Sequence, residues 1–486
     1  MSHQAQQPQH RGSVDYQDVD SRYMEKRQLK QGAAGWVLLA GLGVAYVISG
    51  DFAGWNFGLA EGGWGGLLIA TVLMAVMYSC MVFSLAELSS TIPTAGGGYG
   101  FARRALGPLG GFMTGTAILI EYAIAPAAIA IFIGGYLDSL IGVGGPIVYI
   151  GAYALFIAIH LYGVGEALKL MFVITAVAVV ALIAFTIGMV PKFDASNLTD
   201  IAPTGAAGAS DFLPFGYAGV WAAFVYGIWF FLAVEGVPLA AEEARDPKRD
   251  MPRGIIVAMI ALLVFAAFIL LFGPGGSGSD VLKDSDNPLV DSVETAYGGS
   301  NALSGFVNAV GLLGLIASFF SIIYGYSRQT FALSRAGYLP RRLSETSGRK
   351  VPFLALLVPG AIGLLLALVV GQDGGNRMIQ IAVFGATVSY VLMLLSHIVL
   401  RYREPELERP YRTPGGVVTS GIGLVLACAA VVAVFLVDVK AALITLAVYA
   451  AFIAYFLLYS RHHLVAAAPE EEFAAIAASE KELERS

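Results

Sequence analysis

The chain has 486 residues, 57% of them hydrophobic and only 13% charged, with a mean hydropathy of +0.72. A soluble domain carries about 25% charged residues, so this composition excludes a water-soluble fold and calls for a lipid bilayer around the chain. The net charge of −6 says little by itself, and no nucleic-acid partner is expected.

In chain order, residues 1–32 are polar, hold Arg11, Arg22, Lys26, Arg27 and Lys30, and contain no apolar core. They read as a retained cytosolic tail and not as a cleavable signal. Apolar runs long enough to span hydrocarbon then recur to the end of the chain, and each must satisfy its own backbone hydrogen bonds there, which means helices. Twelve spans are predicted, beginning near Ala34, Gly65, Gly107, Pro146, Ala167, Gly219, Arg253, Ala302, Pro352, Ile379, Val418 and Ala441. The chain is therefore expected to be an all-α integral membrane protein with one transmembrane domain over about 33–462. A first half covers about 33–192, a second half about 219–402, and two further helices about 417–461. Residues 463–486 read as a second cytosolic tail, of which "EEEFAAIAASEKELERS" (470–486) reads as a short solvated helix or a disordered tail.

Charge placement sets the orientation. Of the 29 lysines and arginines, 24 fall in the two tails and the even-numbered connections, where they include Arg103, Arg104, Arg328 and Arg335. The odd-numbered connections hold only Lys192, Lys283, Arg377 and Lys440, and Lys169 sits at a helix end. Such a bias places both termini in the cytoplasm, as in a multi-pass protein of the inner membrane. The outer loops near 193–218 and 276–300 are rich in Gly, Ser, Asn and Asp.

Two spans are interrupted in corresponding places. The first carries "SGDFAGWN", with Ser49, Gly50 and Asp51, and the sixth carries "FFLAVEGVPLAAEE", with Val234, Glu235 and Gly236. Each opens a five-helix half and puts a carboxylate beside glycine inside an apolar run. This is the pattern of a five-plus-five inverted-repeat core with broken helices 1 and 6 and a site at the midplane. Glu121 lies well inside the third span with no basic residue near it in sequence, so it must be neutral, paired across helices or in contact with water. Three carboxylates in three spans, with no arginine placed inside the membrane, define a cavity that prefers cations. Trp229 is positioned to stack on such a cation. Tyr122, Phe231, Ser321 and Tyr324 are secondary candidates for the pocket, whereas Tyr326 and Tyr390 read as packing residues.

Other features carry less. His160 and His397 read as satisfied structural histidines, and Cys80 and Cys428 as packing residues far apart in sequence. Gly273 to Gly278 matches G-x-G-x-x-G but follows a membrane helix, which removes the dinucleotide reading. Gly111 and Gly115 fit close helix packing. There is no nucleophile–base set and no cluster of metal ligands, so neither an enzyme nor a cofactor or metal site is expected.

The segments Ala86–Gly115 and Glu235–Ile255 resemble two signature regions of the amino acid–polyamine–organocation permeases. The resemblance extends over about 33–461, and "SGDFAGWNFGLA" and "IWFFLAVEGV" are similar to the bacterial ethanolamine permeases in particular. It implies secondary transport by alternating access. It also implies that the break in span 1 and Glu235 meet substrate while Trp229 closes over it. The family's usual first-span break departs here to Gly50-Asp51-Phe52-Ala53-Gly54, and an aspartate there would repel a substrate carboxylate. Where many ion-independent or proton-linked relatives carry a lysine midway along span 5 this chain has Ala178, which leaves the coupling ion open, and the hydroxyls Ser318 and Ser321 of span 8 are not adjacent, which disfavours sodium coupling. The expectation is therefore uptake of ethanolamine, driven by the proton gradient or the membrane potential, with its ammonium among Asp51, Glu121 and Glu235. The alternative is a permease for neutral or cationic amino acids or another small amine.

Overall fold

A computed structural model describes residues 9–11, 14–17, 19–20, 22–32, 34–371 and 374–472. Among the described residues, ten helices are long and apolar enough to cross a membrane, and two shorter apolar helices, Trp36–Phe52 and Pro146–Tyr162, complete the series. They follow the predicted order and are numbered here as spans. Span 1 is Trp36–Phe52 continued by 57–62, span 2 is 64–91, span 3 lies within Gly98–Ile141, span 4 is Pro146–Tyr162 and span 5 is Val164–Met189. Span 6 is Gly216–Glu243, span 7 Pro247–Ser277, span 8 Ala302–Arg335, span 9 Phe353–Val370 and span 10 Gly375–Arg403. Spans 11 and 12 are Val417–Val437 and Val439–Leu458.

These helices keep a large apolar side chain outward at Ile187, Leu365, Leu443 and Leu458, where the acyl chains of a bilayer would lie. Inward, span 3 packs along spans 8 and 10, and span 2 along span 6. The two glycines read as a packing motif act in different ways. A Cβ on Gly115 would meet Leu333 of span 8 at 2.8 Å, whereas one on Gly111 would meet Arg103, because Gly107 (φ +82°) folds a short leading helix back before span 3.

Two regions are more ordered than their composition predicts. The outer connection 276–300 contains the helices Ser279–Leu282 and Pro288–Tyr297, the second seated on span 7. The amino-terminal tail contains a two-stranded antiparallel hairpin, β1 (Gln9–Arg11) and β2 (Val14–Tyr16). Leu464, Val465, Ala468, Glu470 and Glu471 are buried against the protein, Glu472 is exposed, and 473–486, most of the segment read as a solvated helix or a disordered tail, lie outside the described residues.

Both interrupted spans break where the sequence places the interruption. In span 1 the helix stops at Phe52, Ala53 is extended, and Gly54 adopts φ +92° before helix resumes at Phe57. Asn56 holds the opened backbone, accepting from Gly54 N at 3.2 Å and donating to the carbonyls of Leu282 and Ser285 at 2.8 Å each. In span 6 the α-helix ends at Trp229, Ala233 takes the left-handed conformation (φ 77°), and the chain continues as 3-10 turns through Val234–Glu243. Pro238 removes one donor from that stretch, so tighter turns replace the α-helical ladder.

The breaks touch each other. Trp229 Nε1 donates to the carbonyl of Ala53 at 2.9 Å, and a Cβ on Gly50 would sit 2.6 Å from the Trp229 carbonyl oxygen. Only glycine allows that approach. Replacing Gly50 with Val is expected to force spans 1 and 6 apart at about 1–3 kcal/mol of overpacking strain. The variant should still insert and elute as a folded species on size exclusion, but with a lowered melting temperature; an unchanged melting temperature would show that the approach is not tight.

Candidate functional site

Glu121 on span 3 and Glu235 on the 3-10 segment of span 6 are both buried and lie within reach of one another. Tyr122 donates its hydroxyl to Glu235 Oε1 at 3.3 Å. The other oxygen of Glu235 and both oxygens of Glu121 have no hydrogen-bond partner. A buried carboxyl pair of this kind must share a proton or hold a cation, because two adjacent carboxylates cannot both stay ionised away from water.

Tyrosines wall the pair. Tyr46 of span 1 stacks on Tyr122 with centroids 6.1 Å apart. Tyr78 of span 2 donates to the Tyr390 hydroxyl of span 10 at 2.8 Å and packs against Phe231 at 5.4 Å. Tyr390 stands beside Glu235. Gly236 makes room for this wall, since a Cβ there would lie 2.6 Å from the Tyr122 hydroxyl and 2.8 Å from the Tyr46 ring. Aromatic faces and phenol oxygens around two carboxyls suit an ammonium group, by cation–π attraction and by accepted hydrogen bonds.

On the side of the termini the site is floored by an ion pair. Arg328 Nη2 donates to Glu243 Oε1 at 2.8 Å, both side chains are 1% exposed, and the guanidinium lies 4.1 Å over the Tyr324 ring. Sequence counting assigns Arg328 to a connection; it lies instead inside the helix of span 8, so there is an arginine within the bundle. Its charge is taken up by Glu243. Tyr324 thus belongs to the floor.

The structure does not gather all the predicted residues. It brings Glu121, Tyr122, Glu235 and Gly236 together and sets Phe231 in the aromatic wall through Tyr78. Val234 is buried beside them in the chain. Asp51 is fully buried with neither oxygen partnered, so no hydrogen bond joins it to either glutamate. Gly50 serves the contact between the breaks, and Trp229 spans that contact with its ring edge-on to Phe132 at 6.4 Å. Ser49 shares a hydrogen bond with Ser318 at 2.8 Å, which ties span 1 to span 8. Ser321 faces Met171 of span 5 and bonds its own helix at Ala317, away from the carboxyl pair.

Sequence reading did not reach Tyr46, Tyr78 or the Arg328–Glu243 floor, and it set Tyr390 aside as packing. A tyrosine in a long apolar run is ambiguous until its partner is known, and these three tyrosines come from three different spans. His160 bonds the Phe156 carbonyl at 2.8 Å but leaves Nε2 buried without a partner, whereas His397 is satisfied, against Ser420 at 2.7 Å, Thr413 at 3.2 Å and Glu87 at 3.2 Å. Cys80 and Cys428 are both free. Among the described residues no group of three or more His, Cys, Asp or Glu is placed to hold a metal ion.

The chain is similar over most of its length to known permeases and transporters. The family model described as amino acid permease matches residues 36–459. An uncharacterised transporter of Rhizobium meliloti is 30% identical over 81% of this chain and 85% of its own length. The branched-chain amino acid permease of Bacillus subtilis is 26% identical over 92% of this chain and 97% of its own. The methylthioribose transporter of the same bacterium is 26% identical over 76% and 79%.

The floor yields a prediction about stability. Replacing Arg328 with Met leaves Glu243 buried and unpaired, which is expected to cost about 3–5 kcal/mol. Adding Glu243→Met should recover most of the melting temperature; no recovery would mean that the pair is not an isolated buried unit.

Proposed function

The chain belongs to the amino acid permease family, and from that premise we propose that it is a permease for a small solute bearing an ammonium group. Members of this family are secondary transporters and not enzymes, and the multi-pass bundle fits that role. The observation that carries the reading is the carboxyl pair Glu121–Glu235, walled by tyrosines at the break of span 6. In this reading the ammonium docks on Glu235, Tyr122 holds that carboxylate in place, and Glu121 carries a proton. Alternating access would expose the pair first to one face and then to the other as the halves move about the contact between the breaks. The face that carries both termini and most of the lysines and arginines is the cytosolic one in this proposal.

An amino acid is the leading substrate class. The carboxyl pair supplies the ammonium site, and the similarity over nearly the whole chain to a branched-chain amino acid permease supports a substrate that also bears a carboxylate. Ethanolamine is the second reading, favoured by one observation: a fully buried Asp51 without a partner stands at the span-1 break, where it would oppose a carboxylate.

Uptake of labelled substrate into proteoliposomes separates the two. Competition by leucine and lysine with little effect of ethanolamine supports the amino acid reading; the reverse pattern supports ethanolamine. In either case Glu235→Gln should reduce kcat/KM by about 100-fold or more, since a buried charged partner is lost. Retained uptake in that variant would remove the pair from the site. For the proton role, an inward proton gradient should accelerate uptake by the native chain and leave Glu121→Gln unaffected. A gradient response that survives in Glu121→Gln would move the proton to another group.

A further inference from the structure

On the face of the termini, well away from the carboxyl pair, Glu470 and Glu471 are each 1% exposed although they follow the last span in a polar tail. Two carboxylates so deeply covered need strong partners. Glu471 has a full set. Arg103 donates to it from Nε at 2.8 and 3.0 Å and from Nη2 at 2.6 Å, Tyr338 at 2.9 Å and Tyr16 of β2 at 2.7 Å. Burial and the neighbouring carboxylate push the Tyr16 hydroxyl up to about 12, so it remains a donor at neutral pH. Glu470 accepts from Arg335 Nη2 at 2.7 Å, and the same guanidinium is shared with Glu242 at the end of span 6.

The backbone repeats the pattern. Val465 N donates to the Ala336 carbonyl at 3.0 Å, and Gln17 N to the Leu464 carbonyl at 2.8 Å. Gly337 (φ +89°) permits the approach, since a Cβ there would lie 2.1 Å from the His463 oxygen. Segment 464–472 therefore grips the leading helix of span 3, the end of span 8, the end of span 6 through Arg335, and the amino-terminal hairpin. These parts surround the ends of spans 1 and 6, which are joined at this face by Ala34 and Ala244–Arg245. They would have to separate for the site to open toward the termini.

We propose that residues 464–472 form a latch that holds the terminal-face gate shut, with Glu470 and Glu471 as its two fasteners. The proposal rests on the chain being a transporter and not on the identity of its substrate. When the latch is seated, the closed arrangement gains the ion pairs to Arg103 and Arg335; when it leaves, those pairs are lost and the open arrangement gains population. A cavity of about 530 Å³ between Gln28, Gln31, Pro93, Glu242, Arg335 and Pro469 already undercuts the joint.

The test uses the full chain reconstituted in liposomes, with Glu470→Gln/Glu471→Gln in one variant and a bridge between Ala336→Cys and Val465→Cys in another, with Cys80 and Cys428 replaced by Ala. Hydrogen exchange of segments 93–103 and 334–341 reads the gate directly. The double Gln variant should exchange faster there, with no change in the outer helix 288–297, and should transport about fivefold faster or more, the range of an ordinary coupling between sites. The oxidised bridge should slow transport, and reductant should restore it. Native exchange at the gate in the double Gln variant, or a bridged protein that transports at the native rate, would overturn the latch. So would a double Gln variant that is folded yet inactive, because the segment would then be a required part of the carrier.

Discussion

Backbone that leaves the helical pattern inside a bilayer has no water to turn to, and the protein must supply every partner. The contact between the two breaks meets that demand. Trp229 gives its indole N–H to the Ala53 carbonyl, Asn56 accepts from the Gly54 N–H and donates to the outer connection, and Gly50 lets the Trp229 carbonyl come within touching distance. Everything else in the centre of the bundle hangs on this contact. It fixes where span 6 stops being α-helical, and so sets Glu235 on 3-10 turns that face span 3.

The same placement explains the division of charge. Glu235 is stranded among tyrosines with Glu121 opposite, while Glu243, at the far end of the same 3-10 segment, meets Arg328. Glu242 and Glu243 at the end of the segment are neutralised within the protein by Arg335 and Arg328, and Glu235 is left for something outside it. A buried pair that is fully satisfied serves as structure, and a pair with three unpartnered oxygens is an open invitation to a proton or an ammonium. Of the tail glutamates, Glu471 follows the first pattern, with donors from Arg103, Tyr338 and Tyr16 on its two oxygens, while Glu470 keeps one oxygen without a partner.

The architecture was legible from the residues because a bilayer leaves the sequence few choices. Twelve apolar runs become twelve helices, and glycine beside a carboxylate in spans 1 and 6 marks the breaks. Glu121 and Glu235 could be singled out for the same reason: a carboxyl group in hydrocarbon has no innocent location. The rest of the site was not legible. Whether Asp51 meets those two glutamates depends on how a broken helix is rotated, and no spacing rule fixes that. The tyrosine wall depends on rings contributed by spans 1, 2, 3 and 10, each of which looks like ordinary packing in its own segment. Arg328 was hidden for a different reason, since its helix runs further than the apolar run that announces it. The docking of Glu470 and Glu471 has no local signal, because an acidic tail reads as solvated until Arg103, Arg335 and Tyr338 are seen around it.

The central claim is that Glu121 and Glu235 share a proton in the empty carrier and receive the ammonium of the substrate. Difference infrared spectroscopy of the purified protein, recorded with and without bound substrate, reads this directly. The account predicts a carboxylic-acid C=O band in the empty protein that shifts or disappears on substrate addition and is missing from Glu121→Gln. A band that ignores substrate, or that persists unchanged in Glu121→Gln, would contradict it.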